Sequence, residues 1–147
     1  MRWRFVDRIE EFKPWISIKG HKSISLEEYV LMEPFGRQGS LPETLSLESC
    51  VHLARWLVVR SSDFQQICLL SDVDHFIFEH EAVMGNILNV VVSVQRKKDD
   101  LLGIECEVST DKHPICHGIL TLDLMSLNDL LNPKTMRTMW QELYDKA

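Results

Sequence analysis

Two side chains in "LPETLSLESCVHLARW" (41–56) could do chemistry: Glu48 and His52, four residues apart in a mostly apolar run. On a helix that spacing puts them on one face, a turn from each other. A carboxylate beside an imidazole could poise a general base for proton abstraction. The plainer reading is that His52 satisfies Glu48 in a core that tolerates the pair. Glu33 is a further candidate acid or base, in a loop where a solvated carboxylate is the plainer reading. His75 and His80 flank "FIF" at an odd separation, which sends them to opposite faces of a strand. His21 lies in an alternating strand beside Gly20 with no evident partner. "HPICH" brings His113, Cys116 and His117 close together, but no second ligand pair follows at a known spacing, so no metal site is expected.

The elements that position these groups follow from periodicity. "FVDRIEEF" suits a short strand or helical turn, and "ISIKGHKSIS" alternates as a half-buried strand does, with Gly20 marking a bend or bulge. "SLEEYVL" has Ser25 and Glu28 at capping-box spacing, and "EPFGRQGS" reads as a loop. From Pro42 to about Arg60 runs the strongest helix, with proline in its first turn. Its apolar residues surround the axis, the mark of a core helix. "QICLLSDVDHFIF", "NILNVVVSVQR", "LLGIECEVST" and "ICHGILTLDLM" are strands, joined in part by "RKKDD" and "TDKHP". Met136, Met139, Trp140 and Leu143 predict a short amphipathic helix at the end. The expected fold is α+β: one domain over 1–147, an antiparallel sheet wrapped around a long central helix, plus a short C-terminal helix.

Composition narrows the function. The chain of 147 residues carries a net charge of −6, which argues against general nucleic-acid binding. No run approaches the length of a membrane span. "MRWRFVDRIEEF" has charge and no apolar h-region, so it does not read as a secretory signal, and a cytoplasmic protein is expected. Cys50, Cys68, Cys106 and Cys116 are scattered and read as reduced core thiols. Arg96, Lys97 and Lys98 in "QRKKDD" read as a solvated hairpin tip.

Taken in order, several stretches resemble the hotdog-fold 3-hydroxyacyl-ACP dehydratases of fatty-acid synthesis. "FVDRIEEF" is similar to that family's "LVDRV", and "LPETLSLESCVH" to its "MPGVLxxEAxAQ". "FEHEAVMGNILNVVVSV" resembles "FRxPVxPGDxLxxxVxV", and "GIECEVSTDKHPICHGILTL" the last two strands. The resemblance runs from about Phe5 to Leu124. It implies a hotdog fold, action on acyl thioesters of ACP or CoA without a cofactor, and a site shared between two subunits of a homodimer or heterodimer. Glu48 falls on the family's catalytic carboxylate and His52 on its glutamine. The family histidine of "GHFPG" has no counterpart in "MEPFGRQGSLP": Glu33 or Pro34 stands there, depending on one inserted residue. Phe35, Gly36, Leu41, Pro42 and Glu43 are the implied substrate-binding positions. Arg37, Arg96, Lys97 and Lys98, with Arg55 and Arg60, are the cations an acidic carrier protein could dock against. A non-catalytic subunit that binds acyl chains or pairs with an active relative, and a thioesterase, are the other functions the same fold admits.

Overall fold

The structure, a computed structural model, describes residues 6–24, 43–83 and 85–144. Two short strands open it, β1 (Arg8–Lys13) and β2 (Ser17–Ser23), followed by α1 (Glu43–Ser61). Four strands then run in succession: β3 (Gln66–Phe78), β4 (Ile87–Lys98), β5 (Leu101–Ser109) and β6 (Pro114–Ser126). A short 3-10 turn at Leu127–Asp129 leads to α2 (Pro133–Tyr144). The expected "SLEEYVL" helix, the "EPFGRQGS" loop and Pro42 lie outside the described residues.

All strands pair antiparallel in one six-stranded sheet, ordered β1-β2-β4-β5-β6-β3. The excursion through α1 carries the chain from β2 to the far edge, so the helix lies across one sheet face and touches β2 through β6. That face supplies Ile18, Leu88, Val90, Val92, Leu102, Ile104, Leu120 and Leu122, all buried. Each such side chain contributes roughly 1.5–3 kcal/mol by leaving water. On α1 they meet Cys50, Leu53, Ala54, Leu57 and Val58, also buried. This is the hotdog architecture: a sheet wrapped on a long central helix.

The helix ends in a left-handed turn at Asp63 (φ 53°) and Phe64 (φ 62°), where the Phe64 N–H donates to Val59 O at 2.7 Å. Pro133 occupies the first position of α2, and Asn132 Oδ1 accepts from the Lys134 N–H at 2.9 Å as its cap. Met136, Trp140 and Leu143 bury the apolar face of α2, with Trp140 against Phe12 (5.3 Å) and Trp56 (5.9 Å).

Three local readings need correction. Gly20 does not bend β2; its register with β4 is regular, and the bulge lies opposite, in β1 between Ile9 and Glu11. Glycine is required there by close approach, since a Cβ would sit 2.6 Å from Arg8 O. Arg96, Lys97 and Lys98 are not a hairpin tip but the end of β4, and Asp99–Asp100 alone make the turn. The parity used for His75 and His80 fails, because β3 bulges between Asp74 and Ile77, His75 sits at φ 48°, and the strand ends at Phe78.

Candidate functional site on the central helix

Burial singles out one stripe of α1. Between positions 48 and 59 every residue is buried except Glu48, His52 and Arg55, which are half-buried. Their spacing of four and three residues aligns them on one side of the helix. The opposite sides are taken by the sheet and by Trp56 against Trp140. The polar groups are thus confined to the one strip of α1 that its own fold leaves partly open.

Glu48 sits near the N-terminal end of that strip. No described residue donates to its carboxylate or pairs with it as an ion, so its oxygens are free of the rest of the described fold. His52 is placed differently from the companion reading. Its Nε2 accepts a hydrogen bond from Trp56 Nε1 at 3.2 Å, one turn further along the helix. An indole N–H can only donate, so that ring nitrogen carries no proton and the neutral imidazole is protonated on Nδ1. Burial lowers the His52 pKa from 6.5 to about 4, and the Arg55 and Lys22 cations push in the same direction. The imidazole is therefore neutral near pH 7, a weak base whose Nε2 lone pair is already engaged.

Lys22 was not singled out from sequence. It is 3% exposed, with Asp7 Oδ1 3.8 Å from its ammonium, and its charge reaches His52. A signal was present: Ile18, Gly20, Lys22 and Ile24 share the inner parity of β2, so a lysine falls on an otherwise apolar face. Arg55, at the other end of the strip, has a buried Nε without a hydrogen-bond partner among the described residues.

The remaining sequence candidates disperse. Glu33, Phe35, Gly36, Arg37, Leu41 and Pro42 lie outside the described residues. Glu43 is exposed in the first turn of α1, where a carboxylate complements the helix dipole. Arg96 and Lys98 alternate with Lys97 along β4, so the three cations do not share a face, and the Lys97 ammonium lies 4.1 Å from the centre of the Trp15 ring. His21 Nδ1 meets Glu10 Oε1 at 2.6 Å, and His75 meets Asp74 at 3.3 Å. His80 stacks on His113 at 4.6 Å, while His117 pairs with Glu79 at 2.9 Å. Cys116 points inward; together with Cys106 it lies beside Cys50, and hydrogen bonding among these thiols with burial pushes the Cys50 thiol up. Burial likewise pushes Cys68 up to about 12, so all four cysteines are free, buried thiols. Among the described residues no helix is long and apolar enough to cross a membrane.

No known protein-family model matches the chain. Among curated proteins it is similar to the 3-hydroxyacyl-[acyl-carrier-protein] dehydratase FabZ of Lactobacillus helveticus, 24% identical over 118 residues and covering 80% of each chain. The FabZ of Levilactobacillus brevis is also 24% identical, over 126 residues and 85% of each chain. Among solved structures, a hot-dog-like protein from Thermanaerovibrio acidaminovorans superposes with a TM-score of 0.66 at 13% identity, over 92% of this chain and 96% of the other. A hypothetical thioesterase from Streptococcus pneumoniae, solved with coenzyme A, gives 0.64 at 9% identity over 81% and 85%. The fluoroacetyl-CoA thioesterase FlK gives 0.69 at 7% identity over 88% and 98%. Sequence and fold together make the chain a hotdog-fold protein, similar in sequence to FabZ-type dehydratases and sharing its fold with CoA thioesterases.

Proposed function

We propose that the protein binds acyl thioesters of CoA or an acyl carrier protein against the N-terminal half of α1, and that Glu48 acts on them as a general base for hydrolysis. The observation that carries this reading is the half-buried Glu48 carboxylate, unpaired among the described residues, beside a histidine that is neutral and tied to Trp56. Hydrolysis needs one carboxylate. Glu48 takes a proton from water, and the water oxygen attacks the thioester carbonyl. As the C–S bond breaks, Glu48 returns that proton to the leaving sulfur, giving a carboxylic acid and a thiol. Backbone N–H groups at the start of a helix are suited to polarise such a carbonyl.

A FabZ-type dehydration is the second reading, favoured by the curated relatives. That reaction uses a histidine as well as a carboxylate. Residues 25–42 contain no histidine, and His52 is a poor base. Dehydration therefore requires an imidazole from a different, histidine-bearing hotdog subunit. Either reading is served by a dimer. β3 is an edge strand whose Leu70, Val73 and Ile77 are exposed, and pairing it with a second edge covers them.

Product analysis separates the two readings. The purified protein should release free thiol and free acid from a panel of acyl-CoA and acyl-carrier thioesters, with no interconversion of 3-hydroxyacyl and enoyl forms. Enoyl product without free acid would replace hydrolysis by dehydration. The absence of both reactions and of thioester binding would remove the reading.

A further inference from the structure

A cleft of about 700 Å³ opens between α1, β3 and α2; His52 and Arg55 of the polar strip line it, and Glu48, one turn before His52, does not. That volume lies within the ordinary range for small-molecule sites, roughly 300–1,000 Å³. Trp56, Ile67, Leu69, Leu131, Met136 and Met139 make its walls apolar. Leu69, Leu130 and Leu131 at the cleft are 38%, 50% and 45% exposed, so apolar surface there is left uncovered. The α2 side of the cleft is made by residues 130–139.

One cation is set into this apolar wall. Arg55 is half-buried, makes no ion pair with a described carboxylate, and keeps its Nε buried without an acceptor. A guanidinium fork matches a single carboxylate in bidentate fashion. Among the described residues no lysine or second arginine lines the cleft, so a polyanionic head group such as a nucleotide would lack counter-charges there. Asn132 and Thr135 add neutral polar groups to the same walls.

We propose that this cleft is a binding site for an aliphatic carboxylate, with its chain on Trp56, Leu69, Met136 and Met139 and its carboxylate on Arg55. The site does not depend on catalysis at Glu48. Two observations carry it independently of that reaction: an apolar cleft of ligand size, and a half-buried arginine in its wall without an ion pair among the described residues.

Calorimetric titration with dodecanoate and with dodecanol tests the proposal. Wild-type protein should bind both, the acid more tightly. Arg55→Met should weaken dodecanoate at least tenfold and leave dodecanol unchanged, while Arg55→Lys, which retains the charge, should recover part of the loss. Thr135→Trp, at an exposed position in the cleft, should block both chains with thermal unfolding unchanged. Equal dodecanoate affinity in wild type and Arg55→Met overturns the proposal, as does undiminished binding by Thr135→Trp or failure of wild type to bind either chain. Thioester turnover by wild type and Glu48→Gln, assayed in parallel, reports on the Glu48 reading, so the two readings fail separately.

Discussion

Replacing His52 by glutamine should flatten the dependence of stability on pH in mildly acid solution. In the folded protein the imidazole pKa is held at about 4, against 6.5 for an exposed histidine. The unfolded chain therefore takes up a proton as pH falls below about 6.5, while the folded chain resists until about 4. Stability due to the neutral imidazole is complete above the upper value, is lost through that window, and levels off below it. At ~1.4 kcal/mol per pH unit the loss from neutrality is ~1 kcal/mol by about pH 5.5 and ~3 kcal/mol by about pH 4. Glutamine can still accept from Trp56 Nε1 through its amide oxygen but does not titrate. Urea unfolding of wild type and His52→Gln at about pH 7, 5.5 and 4.5 gives the difference directly, because carboxylates common to both proteins cancel. The wild type should lose ~1 kcal/mol more than the variant by about pH 5.5 and ~2 kcal/mol more by about pH 4.5. Parallel curves would show that the imidazole titrates normally, and the account of His52 as a neutral, desolvated acceptor would be wrong.

Trp56→Phe removes the indole donor that favours the neutral ring; its loss of ~1 kcal/mol should raise the His52 titration midpoint by up to about one pH unit, read by NMR. An unmoved midpoint would mean that burial and the Arg55 and Lys22 charges set it without the indole. Gly118→Ala should destabilise the fold by ~1–3 kcal/mol in urea, since the new Cβ would meet Phe76 Cα at 2.6 Å and its ring at 2.5 Å; unchanged stability would mean that the β3 bulge yields freely. Val73→Lys with Ile77→Lys, at positions 41% and 50% exposed on the edge strand, should convert a dimer to a monomer in sedimentation equilibrium. A mass that does not change on substitution would move the interface elsewhere. Arg96→Glu with Lys98→Glu should weaken carrier-protein binding chiefly at low salt, and equal affinity would remove that surface.

The fold was legible because its signals are long and redundant. A core helix apolar around its axis and four strands of β-branched residues fix both elements and order, and the C-terminal Met136–Leu143 repeat declared its buried face. Parity arguments failed where the backbone slips. The bulge in β1 shifted the irregularity expected at Gly20 onto its partner strand, and the bulge in β3 broke the alternation counted from His75 to His80. The Glu48–His52 spacing was visible, but the bond made by the histidine was not. Trp56 is also four residues from His52, and its apolar bulk concealed an N–H that competes for the ring. Lys22 was readable in principle from the inner parity of β2. The significance of Arg55 depends on what α2 and β3 bring to it, contacts that no local pattern encodes.

The most direct test compares thioester consumption by wild type and Glu48→Gln, a nearly isosteric change that removes the basic oxygen and leaves the helix intact. Thiol release from the best acyl substrate should fall by about 10²–10⁴-fold, the usual contribution of a positioned general base, with substrate binding retained. Release at the wild-type rate by Glu48→Gln would contradict the assignment of Glu48 and, with it, the central claim.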